Sequence, residues 1–537
     1  MTRKKGKQAS VAEGTGCADG KSLACGDGRK SGGSPRGAPV TSASSSLIIC
    51  RNKHWRHISS FHGAWLQIPT EILETIANIN YNTLRPRPID PAILFDLIKI
   101  RKNVDEAADL AVRAASDTAS PTLSSVGGVS SMNAFGLGLA GHGTRLSRER
   151  RFRMRELASQ KLARAYRLDE IASSVATMQG ASTLEDIGGL VLQHSPNDSD
   201  AKYVHFFHEK IPSRQLAEST SLRPLQDVMS SRAGQPEVLR TLATVKMFKD
   251  DLEGAAQDLT EAMSMSRFRG ESHRPGADAA QQSRLAAAAA GRRRAPDVVL
   301  PEDEQPSGLD SQLLFQRGCV YLCMASRKVP EGIPYPSTLT PDGRPQQQSQ
   351  QQQQQQLSPA EEADDDEARA KYAEARKFTK SMAKRALRDL MAFLAQFDYA
   401  PDLPVKLNKD FNERVFLASQ GVRSPRCGDG NGPTEPHTVY SLPELFAAVP
   451  PADLPPYPNQ ELVKQGASSE TSMNTTTTAT TTTTTTTTCE WVTYHPLLTE
   501  ALHSLLLSHC LAQTSAKELQ RHAYMVARLS SAERATT

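Results

Sequence analysis

LRTLATVKMFKDDLEGAAQDLTEAM, residues 239–263, decides how this 537-residue chain is read. Its apolar positions recur at three- and four-residue steps on either side of a polar turn, which is the period of two amphipathic helices. Ala243 and Ala255 are small enough to let the two helices approach closely, and the large residues around them interlock. The same period runs through 89–117, 147–178, 309–325, 375–397 and 495–529. Asp90 stands at an N-cap position with Pro91 first in the helix. Alternating strand runs and hairpin turns are nearly absent, so the ordered part is expected to be all-α.

The opening stretch resembles a tetratricopeptide repeat, a unit of two antiparallel helices with large and small residues at fixed places. Leu239 fills the first large position, and Leu242 and Ala243 stand where the family has Leu-Gly. Asp251, Leu252 and Glu253 match its turn. Ala255, Asp258, Leu259, Ala262 and Met263 match its second helix. Lys246 departs from the pattern, which has tyrosine there. A second unit is split: Leu314, Gly318 and Tyr321 match the first helix, and Ala386, Asp389 and Leu390 match the second after a long insertion. Weaker echoes occur at Leu162, Ala163 and Tyr166 and in the C-terminal helix pair. The resemblance implies a tetratricopeptide-like helical array interrupted by insertions. It places Arg240, Thr244, Met247 and Phe248 on the face of a peptide-binding groove. The helical layout also resembles that of uncharacterised fungal proteins with repeat-like regions, and no activity follows from that.

Composition divides the chain. Segments 1–45, 116–146, 266–308, 326–365 and 421–489 are rich in Gly, Ser, Gln, acidic residues, Pro or Thr, and are expected to be disordered insertions, since such sequence buries too little apolar surface to offset chain entropy. Between them lie an N-terminal helical segment (46–115), a repeat-like region (147–265), a repeat helix (309–325), a helical region (366–420) and a C-terminal helical pair (490–537). The net charge of +4 gives no global attraction to nucleic acid or membrane. No apolar run is long enough to span a bilayer, and the N-terminus lacks the apolar core of a secretory signal. The eight cysteines form no CxxC pair, which points to a reducing, intracellular setting, cytoplasmic or nuclear. The basic clusters at 145–155 and 291–296 read as solvated flanks, with nuclear import or nucleic-acid contact as the alternative.

Three stretches invite a chemical reading. In HFFHEK (205–210), His205, His208 and Glu209 lie within one helical turn, but a metal would need a further ligand, and the order is not His-Glu-x-x-His. His208, Glu209 and Pro212 resemble the phosphoaccepting box of sensor kinases, one residue short and without the arginine before proline. The remaining reading is a helix that buries Tyr203, Phe206 and Phe207. Trp65, Ile68, Pro69, Glu71, Ile72, Leu73 and Ile76 resemble the start of an F-box, which implies docking to a ubiquitin-ligase adaptor. The glycine-rich 427–434 lies in a Pro-flanked loop and precedes no helix. No catalytic set, metal site or cofactor is assigned. The function that follows is a scaffold for protein partners of unknown identity, with an F-box-like adaptor, or a metal- or phosphohistidine-dependent signalling enzyme, as alternatives. Nothing in the sequence sets the oligomeric state.

Overall fold

The computed structural model describes residues 65–116, 146–179, 184, 186–210, 221–231, 234–271, 299–333, 359–422, 437–456 and 488–536. Most of the segments read above as disordered, with the histidines at 54, 57 and 62, the basic run at 291–296 and the glycine-rich 427–434, lie outside these residues.

Helix α1 (Thr70–Asn82) and helix α2 (Pro91–Ser116) open the described chain. The expected cap is present: the Asp90 carboxylate accepts the Ala92 N–H at 3.1 Å. Helix α3 (Arg148–Leu168) starts at Ser147, whose hydroxyl accepts the Arg150 N–H, and packs along α2. Four shorter helices follow: α4 (Glu170–Gln179), α5 (Ile187–Leu192), α6 (Ser199–Lys210) and α7 (Arg223–Ser231).

The opening stretch forms α8 (Pro236–Phe248) and α9 (Leu252–Glu271). Asp250 turns the chain between them at φ 73°, and the Asp251 carboxylate caps α9 through the Gly254 N–H at 2.9 Å. Helix α10 (Leu309–Lys328) packs on α9, and α11 (Pro359–Leu394) packs on α10. Helix α11 begins seven residues before the expected helical region at 366.

The all-α expectation needs correction. The described chain is mostly helical, but it also holds a three-stranded antiparallel sheet in the order β2-β1-β3. Strand β1 (Asp398–Pro404) is central, with β2 (Tyr440–Ser441) and β3 (Thr488–Val492) at its edges. Tyr399 pairs with Tyr440 on one side and Val492 on the other. The register on β3 breaks between Ala400 and Leu403, which is where Pro401, having no N–H, would otherwise leave a gap in the ladder.

Helix α12 (Val405–Ser419) follows β1 and packs on α1. Residues 437–456 are also ordered within the expected Pro/Thr-rich linker. They carry β2 and α13 (Leu442–Leu445), started by a capping box between Ser441 and Glu444. Leu454 packs into the second core, and Pro455 O accepts from Arg528 at 2.6 Å. Helices α14 (Leu498–Leu511) and α15 (Ala516–Thr536) complete the chain.

Two main apolar clusters result. One joins α1 to α10 and includes Leu94, Leu97, Leu162, Tyr203, Leu239 and Leu313. The other joins α10 and α11 to the sheet and the last two helices through Phe315, Phe393, Phe397, Tyr399, Leu498 and Leu529. The last helix therefore docks its apolar face on this chain, with Met525 and Leu529 buried. An extended bridge pairs Ile89 with Tyr494, and Arg85 clasps Asp398 through both carboxylate oxygens at 2.8 and 2.5 Å.

Candidate interaction surface

The four residues expected to face a groove are not alike. Arg240 is only 1% exposed. Its guanidinium donates to Tyr166 O at 3.2 Å, Leu168 O at 3.1 Å and Gln312 Oε1 at 2.6 Å, and its Nε lies 3.6 Å from Glu170. The two carbonyls belong to the last turn of α3, where backbone acceptors are left over and a cation is favoured. Thr244 is buried and donates to Arg240 O at 3.0 Å. Arg240 and Thr244 are thus interior residues and present nothing to a peptide. Met247 and Phe248 are half-buried at the end of α8.

The positions matched to repeat packing lie together. Leu239, Leu242, Ala243, Leu252, Ala255, Leu259 and Ala262 are all buried in the first cluster. In the split pair, Gly318 faces Leu390, Ala386 is buried, and Leu314 and Tyr321 are half-buried. The departure at Lys246 has a local reason: its ammonium meets Asp258 at 2.7 Å across α8 and α9. Asp389, which holds the matching place in α11, is met by Arg317 with two bonds of 2.7 Å. Each second helix thus returns a carboxylate to a cation on the first. Arg317 and Arg385 also lie over the Tyr321 ring, at 5.9 and 5.8 Å.

In α6 the aromatics carry the packing. Tyr203, Phe206 and Phe207 are buried, and Phe207 stacks on Tyr166 with centroids 4.5 Å apart. The Tyr203 hydroxyl is 2.9 Å from Thr241, which in turn donates to Glu170 at 2.6 Å. His205 is half-buried, its backbone pressed on Gly188 of α5. A Cβ on that glycine would lie 2.9 Å from His205 N, so α5 and α6 could not approach as they do with any other residue there. The side chains of His208 and Glu209 lie outside the described residues. Among the described residues no group of three His, Cys, Asp or Glu side chains is placed to hold a metal.

The F-box-like residues are largely occupied. Leu73 packs in the first cluster, and Ile72 and Ile76 pack against Phe411, Val415 and Ala418 of α12.

Perturbed acids and bases sit at junctions. Burial pushes the Asp96 carboxyl up to about 7, against the Gly308 N–H that donates to it at 2.8 Å. Burial likewise raises Asp90 to about 6. Burial, then the neighbouring His509 and Arg521, push His522 down to about 4. Its ring stacks between His509 at 4.1 Å and Phe446 at 5.5 Å. Sequence reasoning missed Asp96 and His522, because their effect arises from elements far apart in the chain.

A strongly basic stretch lies on α11. From Ala375 to Arg388 there are six cationic residues and no acidic one. Lys377, Lys380, Lys384 and Arg388 are exposed. Among the described residues none of the four has an acidic partner.

Comparison with protein-family models, curated proteins and solved structures finds no match to this chain. No helix among the described residues is long and apolar enough to cross a membrane.

Proposed function

We propose that this chain is a scaffold that binds other proteins through a stack of helix pairs. The observation that carries this reading is the succession α8, α9, α10, α11, each packed on the next, with Ala243, Ala255 and Gly318 at the crossings. Stacked pairs of this kind offer an extended surface whose neighbours can be varied without disturbing the core. The perturbed groups fit the same reading, since Asp96, Arg240 and His522 serve helix ends and helix contacts. Of the groove expected from the repeat resemblance, Met247 and Phe248 remain as contact candidates. The F-box-like alternative is weaker, because α2 and α12 already cover two faces of α1. The test is affinity purification of the full chain with mass spectrometry, beside a Met247→Ala/Phe248→Ala variant. A stoichiometric protein partner, lost from a variant with an unchanged melting temperature, supports the reading. Recovery of the bait alone overturns it.

A further inference from the structure

Helix α3 changes character along one face. Tyr166, Leu162 and Ser159 share the stripe that packs into the interior, and all three are buried. At about 100° per residue, the same stripe runs back through Arg155, Phe152 and Arg148. Ala158 is the first buried residue of the helix, so these three stand on an overhang beyond its packed part. Phe152 and Arg155 are half-buried there, and Arg148 is exposed. A stripe that went on packing would stay apolar; this one turns basic.

The overhang carries Arg148, Arg150, Arg151, Arg153 and Arg155 against Glu149 and Glu156. Arg153 is met by Glu149 at 2.9 Å, and Arg151 has a contact of its own. Arg148, Arg150 and Arg155 have no acidic partner among the described residues. Arg148 and Arg150 also stand in the first turn, where the helix dipole disfavours cations. Beside them lies an aromatic pair. Phe152 meets the ring of His194, which follows α5, with centroids 4.4 Å apart and planes at 34°. His194 is exposed, so an imidazole backed by a phenyl ring stands at the surface. Arg148 and Arg155 lie one turn before and one turn after Phe152, which brackets the pair with cations.

We propose that the overhang of α3 binds single-stranded nucleic acid, with Arg148, Arg150 and Arg155 on phosphates and a base stacked on His194. Cations beside an exposed ring match both halves of a nucleotide, its phosphate and its base. A duplex keeps its bases stacked on one another and would use the arginines alone. An acidic peptide or an anionic lipid surface would also leave the aromatic pair unused. None of these residues belongs to the succession α8 to α11, so failure here leaves the scaffold reading intact.

Fluorescence anisotropy of labelled oligouridylate and oligothymidylate of about 16 nucleotides, titrated with the full chain, tests this. Three phosphate contacts give a slope of log K against log salt of about −2, so binding should weaken about 20-fold from about 50 to 200 mM salt. Arg148→Gln/Arg155→Gln should cut that slope by about 1.4. His194→Ala should weaken binding about tenfold and leave the slope unchanged, and His194→Phe should restore it. Each variant should melt as the unaltered chain does. Either oligonucleotide bound in this way supports the proposal, and their ranking separates RNA from DNA. No binding at about 50 mM salt overturns it, as does an Arg148→Gln/Arg155→Gln chain that binds like the unaltered one. A duplex, poly-glutamate or phosphatidylserine vesicles bound as tightly as the oligonucleotides would also overturn it, by showing that the overhang responds to charge alone.

Discussion

A Cβ on Gly318 of α10 would stand 3.2 Å from Cγ of Leu390 on α11. The two helices meet there at a distance that glycine sets. Alanine would force Leu390 to give by a few tenths of an ångström while gaining about 1 kcal/mol of helix propensity, so its net effect is small. Leucine has no such room. We expect Gly318→Leu to cost about 2–3 kcal/mol in denaturant unfolding, and Leu390→Ala in the same chain to recover part of that loss. Additive losses in the double-mutant cycle would show that the two positions do not touch.

Arg240 links α8 to the end of α3 and to α10. Its removal leaves Glu170 without its cation and the Tyr166 carbonyl without its side-chain donor, while Leu168 O keeps only the Gln312 amide at 3.3 Å. Breaking a buried charged contact of this kind costs about 3–5 kcal/mol. Arg240→Ala should therefore lower the melting temperature strongly. An Arg240→Ala chain that melts normally yet loses a binding partner would restore Arg240 to a groove.

Those two cases also show what the residue order reveals. The helix pair at 239–263 was legible because its period and its small residues are local properties. The sequence period puts Gly318 and Leu390 on two helices, and their contact across the insertion is seen in the packing of α10 on α11. The site of Arg240 was not legible. Its partners Tyr166, Leu168 and Gln312 lie about 70 residues away in either direction, and a helical period places arginine on a face without saying what covers that face. The sheet was hidden for a different reason. Its central strand, DYAPDLP, holds two prolines, which ordinarily argue against a strand. In contrast, the Ser441–Glu444 capping box was written plainly as SLPE and signalled order inside the presumed linker.

The histidine stretch at 205–210 can be settled by comparing neighbours. Phe207 is buried and stacked on Tyr166, so Phe207→Ala should cost about 3–5 kcal/mol. His205 is half-buried, and His205→Ala should cost less than about 1 kcal/mol. Thermal melts of the two variants check this. The reverse order of losses would mean that the imidazole, and not the aromatic cluster, holds α6.

The pH dependence of stability has two limbs of opposite sign. Asp96 has a folded pKa of about 7 against 3.8 unfolded, so the native state binds the extra proton. Its contribution is full below 3.8 and is lost as pH rises through 7. His522 has a folded pKa of about 4 against 6.5, so its contribution is full above 6.5 and is lost as pH falls toward 4. The two effects oppose each other between about 4 and 6.5; Asp90, raised to about 6, adds to the Asp96 limb, and the Asp96 loss continues furthest above that range. Asp96→Asn keeps an acceptor for the Gly308 N–H and removes the charge. It should raise stability at pH 8 by on the order of 3 kcal/mol and change little at pH 4. His522→Phe keeps the ring between His509 and Phe446 and replaces an Nδ1 that has no hydrogen-bond partner. It should stabilise the chain below about pH 6 and not above. Melting curves of the three proteins from acid to neutral pH separate the limbs. Parallel curves would mean that neither group changes its protonation on folding.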